Sequence, residues 1–131
     1  MYLLDTHTFI WALLDSDKLS KKVTDILNNN ETGICISTIS FWEIAIKLRM
    51  HRYTLEGIEV KDLPKYARQL GSIITLDEEE SSTYNELTYY DDHKDPFDRM
   101  LIWQAIHRRM VILSKDENFK KYKEDGLRVI W

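Results

Sequence analysis

The stretch Asp95-Pro96-Phe97-Asp98-Arg99-Met100-Leu101-Ile102-Trp103-Gln104-Ala105 begins like a helix. Asp95 can cap the free backbone N–H groups, and Pro96 suits the first helical position because it has no N–H to lose. The apolar positions that follow predict one buried face, made by Leu101, Ile102, Ala105 and Ile106. Asp98 falls on that same face. A carboxylate on a core-facing stripe is costly unless a positive charge meets it, so Asp98 is a functional candidate.

Length and composition predict one folded domain over residues 1–131. The 131 residues are 44% hydrophobic and 11% aromatic, which excludes a disordered chain. The single cysteine, Cys35, excludes an internal disulfide and fits a reducing compartment. We expect it to be a buried strand residue.

No apolar run is long enough to span a bilayer. Residues 1–5 have no basic region before their apolar positions, so we do not expect a signal peptide. These observations predict a cytoplasmic protein without a membrane partner.

The net charge of −4 is a mild argument against nucleic-acid binding, which usually requires excess Lys and Arg. The basic residues are clustered, however, within 47–52, 107–109 and 115–123. A site built from carboxylates also lowers the net charge by itself. The charge balance therefore leaves nucleic acid open as a ligand.

Short apolar runs alternate with helical patterns along the whole chain. The predicted strands are 2–4, 33–37, 72–75, 110–113 and 128–130. The predicted helices are 8–14, 19–27, 39–50, 60–70, 77–87, 96–107 and 117–122, with a polar loop at 89–94. For helix 39–50 the expected buried stripe is Ile39, Trp42, Ile46 and Met50. This alternation predicts a parallel sheet covered on both faces by helices.

Four acids fall at positions that this fold would bring together. Ligands of open parallel sheets bind outside the carboxyl ends of the strands. Asp5 directly follows the first strand, and Asp116 comes shortly after strand 110–113. Glu43 and Asp98 each border the buried stripe of a helix. The pattern predicts that all four meet at one edge of the sheet.

Each acid also has an ordinary interpretation. Asp5 and Asp116 could cap the helices that follow them, and Glu43 could extend past its neighbours to solvent. Asp98 could be a first-turn acid that the helix dipole favours. Four such placements at one edge nevertheless favour a common site.

A common site of this kind needs cations. Clustered carboxylates repel one another, and hard oxygen ligands suit Mg²⁺ or Mn²⁺. In the central motif we assign Asp98 to the metal and Asp95 mainly to helix capping. A metal ion held there would activate a water for displacement at phosphorus.

Four motifs in this order resemble those of the PIN-domain ribonucleases, and more closely those of the VapC toxins of toxin–antitoxin modules. The motifs are Leu3-Leu4-Asp5-Thr6-His7, Phe41-Trp42-Glu43-Ile44-Ala45, residues 95–105, and Leu113-Ser114-Lys115-Asp116 with Phe119. Together they extend over essentially the whole chain. The sequence departs from the family in having Met50-His51 where Gly is frequent nearby, and Trp103 where a small residue is frequent.

The resemblance implies a three-layer α/β/α fold with a short, mainly parallel sheet. It implies that the acids at the matching positions hold Mg²⁺ or Mn²⁺ for RNA hydrolysis, namely Asp5, Glu43, Asp98 and Asp116. Thr6 and Ser114 match small hydroxyl residues beside that site. Dimerisation and inhibition by a cognate antitoxin are implied too. From their charge, Arg99 and Lys115 are candidates for holding the RNA backbone.

Other classes of function fit less well. The chain has no G-x-G-x-x-G or P-loop pattern and no zinc-ligand spacing. A phosphatase with an Asp nucleophile also places an Asp after the first strand, but it normally has a second Asp where His7 stands.

A protein-binding module that kept the fold remains an alternative. The intact acids argue against it, because a module without metal would gain by losing their repulsion. The aromatic residues could line a partner groove or the core, and we expect core positions for most of Trp11, Phe41, Trp42 and Trp103.

Overall fold

A computed structural model describes residues 1–131 and contains one five-stranded sheet. The strands are β1 (Tyr2–Leu4), β2 (Ile34–Ser37), β3 (Ser72–Ile74), β4 (Val111–Leu113) and β5 (Arg128–Ile130). All neighbouring strands are parallel, in the order β3-β2-β1-β4-β5. The predicted parallel α/β architecture is therefore confirmed. β1 lies at the centre, so the residue that follows it reaches the middle of the sheet edge.

Six α-helices connect or flank these strands: α1 (Thr6–Leu14), α2 (Lys21–Asn28), α3 (Thr38–Arg49), α4 (Leu63–Leu70), α5 (Glu78–Ser82) and α6 (Pro96–His107). Short 3₁₀ helices lie at Ser16–Lys18, Val60–Asp62 and Tyr84–Glu86, and a longer one at Glu117–Asp125. No helix is long and apolar enough to cross a membrane.

Two hydrophobic cores lie on opposite faces of the sheet, because successive strand side chains alternate between faces. Leu3 and Ile112 belong to the core that α6 covers, and Leu4 and Leu113 belong to the core that α1 and α4 cover. All four are fully buried, as is Cys35. The helices on both faces leave the strand ends as the accessible edge.

Several predicted boundaries shift because a cap decides where each helix begins. α1 begins at Thr6 rather than Thr8, because Asp5 accepts a hydrogen bond from the backbone of Thr8. Ser20 likewise caps α2. The predicted helix 60–70 is divided into a 3₁₀ turn and α4, and the predicted helix 77–87 into α5 and a 3₁₀ turn.

The predicted buried stripe of α3 is confirmed at Ile39 but is wrong at Trp42 and Met50. Trp42 is 59% exposed and Met50 is 52% exposed. Besides Ile39, the helix buries Ser40, Glu43 and Ile44. Polar residues occupy this face because partners on α1 satisfy them, as described below. Trp42 packs edge-on against Phe97 of α6, with ring centroids 5.3 Å apart.

Candidate metal centre

Asp5 occupies the centre of the sheet edge, where β1 ends and α1 begins. Its Oδ1 accepts a hydrogen bond of 2.7 Å from the backbone N–H of Thr8, and its Oδ2 accepts one from the hydroxyl of Ser114. The side chain is buried, and this burial raises the pKa of Asp5. Asp5 is therefore a helix cap, as one interpretation of the sequence held, while it also faces the candidate site.

Glu43 points inward from α3 and is 1% exposed, so it does not extend to solvent. Its Oε1 accepts a 2.6 Å hydrogen bond from Thr6 Oγ1, and its Oε2 forms an ion pair with Lys47. The Tyr53 hydroxyl lies 3.4 Å from Oε2. Burial and the Glu43 charge raise the pKa of Tyr53 to about 12. The negative charge of Glu43 is thus held in a largely dry environment.

Asp98 is the residue on which the cluster converges. Potential ligand atoms of Glu43, Asp95 and Asp98 lie within 4.8 Å of one another. Those of His93, Asp98 and Asp116 do as well, so Asp98 belongs to both groups. Burial, and then the charges of Asp95, Glu43, Asp5 and Asp116, raise the pKa of Asp98 to about 8.

Asp95 caps α6 as predicted. Its Oδ1 accepts hydrogen bonds from the backbone N–H groups of Phe97 at 2.9 Å and Asp98 at 3.2 Å. Its other oxygen, Oδ2, lies 3.6 Å from Lys47 Nζ and faces the cluster. The Asp95 carboxylate therefore caps α6 and also lies at the rim of the site.

Ser114 connects two of the acids. Its hydroxyl donates to Asp5 and accepts a 3.1 Å hydrogen bond from the backbone N–H of Asp116. Asp116 itself caps the 3₁₀ helix Glu117–Asp125, since its Oδ1 accepts from the backbone of Asn118 at 2.9 Å. The second oxygen of Asp116 remains available to a ligand.

The structure brings in two residues that the sequence analysis did not assign to the site. His93, in the predicted polar loop, is buried, and burial lowers its pKa. No periodic pattern marks a histidine in a loop. Lys47 lies four residues after Glu43, and this helical spacing for an ion pair was the one signal that could have found it.

Arg99 has a different role from the RNA contact predicted for it. The residue is 6% exposed. Its guanidinium donates to Tyr84 Oη at 3.0 Å, Tyr122 Oη at 3.0 Å, Thr88 O at 2.8 Å and Leu87 O at 3.4 Å. Because these acceptors occupy its donors, Arg99 holds the interior together instead of facing a ligand.

An open cavity of about 390 Å³ gives access to the acids. Asp5 and Asp116 line it together with His7, Trp11 and Lys115. Lys115 is exposed at this position. A polyanionic ligand could therefore reach the carboxylates past one ammonium group.

The donor set fits a hard divalent cation. Glu43, Asp95 and Asp98 form one group of potential oxygen ligands, and Asp98 and Asp116 belong to a second group with His93; no cysteine lies in either. Asp5 lies outside both groups, although its charge acts on Asp98. Burial, and then the charges of the surrounding carboxylates, raise the pKa of Asp98 to about 8, and no Lys or Arg forms an ion pair with it. Mg²⁺ or Mn²⁺ would supply positive charge there through oxygen ligands.

The sequence profile of the PIN domain matches residues 2–125. The chain belongs to the PIN-domain family. No curated protein gives a significant match to it. Proteins with this domain are generally nucleases. In this PIN domain, the potential ligands lie on α3, at the start of α6 and after β4, with His93 beside them.

Solved structures share this PIN fold at low sequence identity. A chain of VapBC2 from Rickettsia felis, bound to a promoter DNA fragment, has a TM-score of 0.70 and 16% identity, with 98% of this chain and 96% of that chain covered. A chain of DNA-bound VapBC from Salmonella typhimurium has a TM-score of 0.70 and 18% identity, with 98% of this chain and 96% of that chain covered. A chain of FitAcB from Neisseria gonorrhoeae has a TM-score of 0.70 and 17% identity, with 100% of this chain and 97% of that chain covered. At these identities the likeness describes the fold.

Proposed function

We propose that this PIN domain is a metal-dependent endoribonuclease and the toxin of a toxin–antitoxin pair, active as a single domain over residues 1–131 in the cytoplasm. The observation that carries the catalytic part is the convergence of carboxylates on Asp98, whose pKa is raised to about 8. Burial and neighbouring carboxylates cause this shift, and strongly perturbed pKa values of this kind cluster at functional sites.

In this proposal the metal ligands are Asp5, Glu43, Asp98 and Asp116, and the ion is Mg²⁺ or Mn²⁺. When bound, the ion supplies a Lewis acid and lowers the pKa of a water molecule. Ser114 and Thr6 orient the carboxylates of Asp5 and Glu43 through the hydrogen bonds described above. Lys115, at the mouth of the cavity, attracts the phosphate backbone of RNA.

The toxin assignment rests on the domain family and on the toxin–antitoxin complexes that share its fold. In the proposal a cognate antitoxin covers the acidic site, and two copies of this chain form a homodimer. A cationic side chain of the antitoxin would meet Asp5 and Asp98, which have no ion pair with a Lys or Arg of this chain. Binding should therefore weaken when Asp5 or Asp98 is neutralised.

Two rivals remain, a metal-dependent phosphatase and a protein-binding module without catalysis. His7 occupies the place of a phosphatase's second Asp, and it lies at the cavity mouth. No observation of the site favours either rival over a nuclease.

The decisive experiment is cleavage of total RNA by the purified chain with Mg²⁺ or Mn²⁺. We expect cleavage by the wild type, none in EDTA, and none by Asp5→Asn. Asp91→Asn, which alters an exposed loop acid, is the matched control and should cleave normally. Undiminished cleavage in EDTA by chelator-treated protein would refute the metal mechanism, and hydrolysis of a phosphomonoester alone would favour the phosphatase.

A separate experiment addresses the antitoxin. Co-purification from the native host should recover a second small protein bound to this chain. Its release from the Asp98→Asn variant would support docking over the carboxylates. Failure to recover any partner under native conditions would oppose the toxin assignment while leaving the nuclease assignment intact.

A further inference from the structure

His93 connects the carboxylate cluster to a tyrosine in the hydrophobic core. Its Nε2 lies 3.3 Å from Asp98 Oδ2, and its Nδ1 lies 2.8 Å from the hydroxyl of Tyr122. Tyr122 is fully buried, and its hydroxyl also lies 3.0 Å from Arg99 Nη1. Four residues thus form one chain of hydrogen bonds that ends at the candidate metal site.

The donor and the acceptor of each hydrogen bond in this chain follow from the chemistry of the groups. Arg99 can only donate, so the Tyr122 oxygen accepts from it. The Tyr122 O–H, being buried, needs an acceptor, and the one that it contacts is Nδ1 of His93. In the neutral ring Nδ1 therefore carries no hydrogen and Nε2 does. This Nε2–H points at Asp98.

We propose that His93 is a positioning residue that holds the Asp98 carboxylate toward the metal through its Nε2–H, with its tautomer fixed by Tyr122 and Arg99. The inference rests on the proposed function in taking Asp98 as a ligand. Hydrogen bonding to one carboxylate oxygen leaves the other for the ion, and outer groups of this kind orient metal ligands in proteins.

The same geometry would suit His93 as a metal ligand, since its ring nitrogen lies within reach of Asp98 and Asp116. The hydrogen-bond chain argues against this role. A ligating Nε2 needs a free lone pair, so Nδ1 would have to carry the proton and the Tyr122 O–H would lose its acceptor. The centre consequently keeps an all-oxygen ligand set.

Two measurements on the full chain test the chemical state of the ring. In ¹⁵N NMR spectra of the Mg²⁺-loaded protein, in which the Asp98 carboxylate is ionised, His93 should show a protonated Nε2 and an unprotonated Nδ1. In pulsed EPR of the Mn²⁺-loaded protein, no directly coordinated ¹⁴N should appear. The opposite tautomer, or a coordinated nitrogen that disappears in His93→Gln, would overturn the proposal.

Mn²⁺ titrations test positioning without any RNA. His93→Ala should weaken Mn²⁺ binding by about 10- to 100-fold. His93→Gln should recover much of that affinity, because its amide can donate to Asp98 and its carbonyl can accept from Tyr122. Tyr122→Phe should weaken binding severalfold although it does not reach the ion.

Tyr90→Phe is the matched control, because the Tyr90 hydroxyl bonds the Lys121 carbonyl and does not contact His93. It should bind Mn²⁺ as the wild type does. If Tyr122→Phe and His93→Gln both fold and both equal the control, the positioning role is refuted while the metal site stands. If the wild type binds no Mn²⁺, the proposed function and the inference both fail.

Discussion

Lys47 Nζ lies 3.6 Å from Asp95 Oδ2 and forms a closer ion pair with Glu43, one turn before it on α3. Burial acts to lower the pKa of Lys47, but the hydrogen bond and the charge of Glu43 outweigh it and raise that pKa above its usual range. The chain thus places one cation of its own at the rim of the carboxylate cluster. Burial, and then the charges of Asp95, Glu43, Asp5 and Asp116, nevertheless raise the pKa of Asp98 to about 8.

Replacing Lys47 by Met should destabilise the metal-free protein by about 2 kcal/mol, because Glu43 is left buried without its partner. Mn²⁺ should then stabilise the variant more than the wild type, since no ammonium competes for Glu43. Thermal melts with and without Mn²⁺ measure both effects. Lys21→Met removes an exposed ion pair of the same spacing and should change neither. A Mn²⁺ response in Lys47→Met no larger than in the wild type would contradict this account.

Asp95 and Asp98 should separate into a cap and a ligand. Asp98→Asn should abolish cleavage and weaken Mn²⁺ binding, while the metal-free protein should be no less stable because repulsion falls. Asp95→Asn should be mild since Asn caps equally well, whereas Asp95→Ala should cost about 1 kcal/mol. RNA cleavage assays and thermal melts with and without Mn²⁺ distinguish the two roles. Loss of activity in Asp95→Asn with normal activity in Asp98→Asn would reverse the assignment.

The metal-free protein should lose stability as pH rises. The pKa of Asp98 is about 8 in the folded state against an ordinary value of 3.8, so the folded state retains a proton that the unfolded state releases. This contribution is fully present below about pH 4 and is lost as pH rises through about 8. Urea unfolding from pH 4 to pH 8 should show a decline that Asp98→Asn reduces.

Mn²⁺ should reverse that decline. Ligand carboxylates bind metal in their deprotonated form, so stabilisation by Mn²⁺ should grow over the same pH range. An equal pH dependence in the wild type and Asp98→Asn would show that other groups cause it.

Replacing Arg99 should lower stability, whereas replacing Lys115 should weaken RNA binding. Arg99→Met should lower the free energy of unfolding by about 3 kcal/mol, because four buried or half-buried oxygens lose a charged donor. Lys115→Met should change stability by less than about 0.5 kcal/mol but weaken RNA binding. Urea unfolding and binding to a short RNA in EDTA distinguish them. Equal stability of the two variants would refute the structural role of Arg99.

Local chemistry explains what the sequence predicted correctly. α6 begins at Pro96 and ends at His107 as expected, because the Asp95 cap and the proline act within one turn. Cys35 is buried in β2, as its apolar neighbours indicated. The strands were recognisable because parallel strands covered on both faces read as continuous apolar runs.

Long-range partners explain what the sequence did not reveal. The buried face of α3 contains Ser40 and Glu43 because Thr6, far away in the chain, bonds to both. Arg99 is buried because carbonyl oxygens of residues 87 and 88 and two tyrosines accept its hydrogens. Neither arrangement produces a periodic pattern in the amino-acid sequence. The positive charge of Arg99 therefore predicted an RNA contact, whereas in the structure its guanidinium donates hydrogen bonds to groups of the interior.

The carboxylates whose charges act on Asp98 come from separate segments: the end of β1, the middle of α3, the N-terminus of α6 and the residues after β4. None of these segments alone contains more than a fraction of the cluster. A nascent or partly unfolded chain consequently has no place for the ion. If the proposed activity is correct, a ribosome making this protein is exposed to no nuclease until β1 and β4 have paired and α6 has packed against α3. Tertiary assembly would then be the first safeguard of the producing cell, acting before any antitoxin binds.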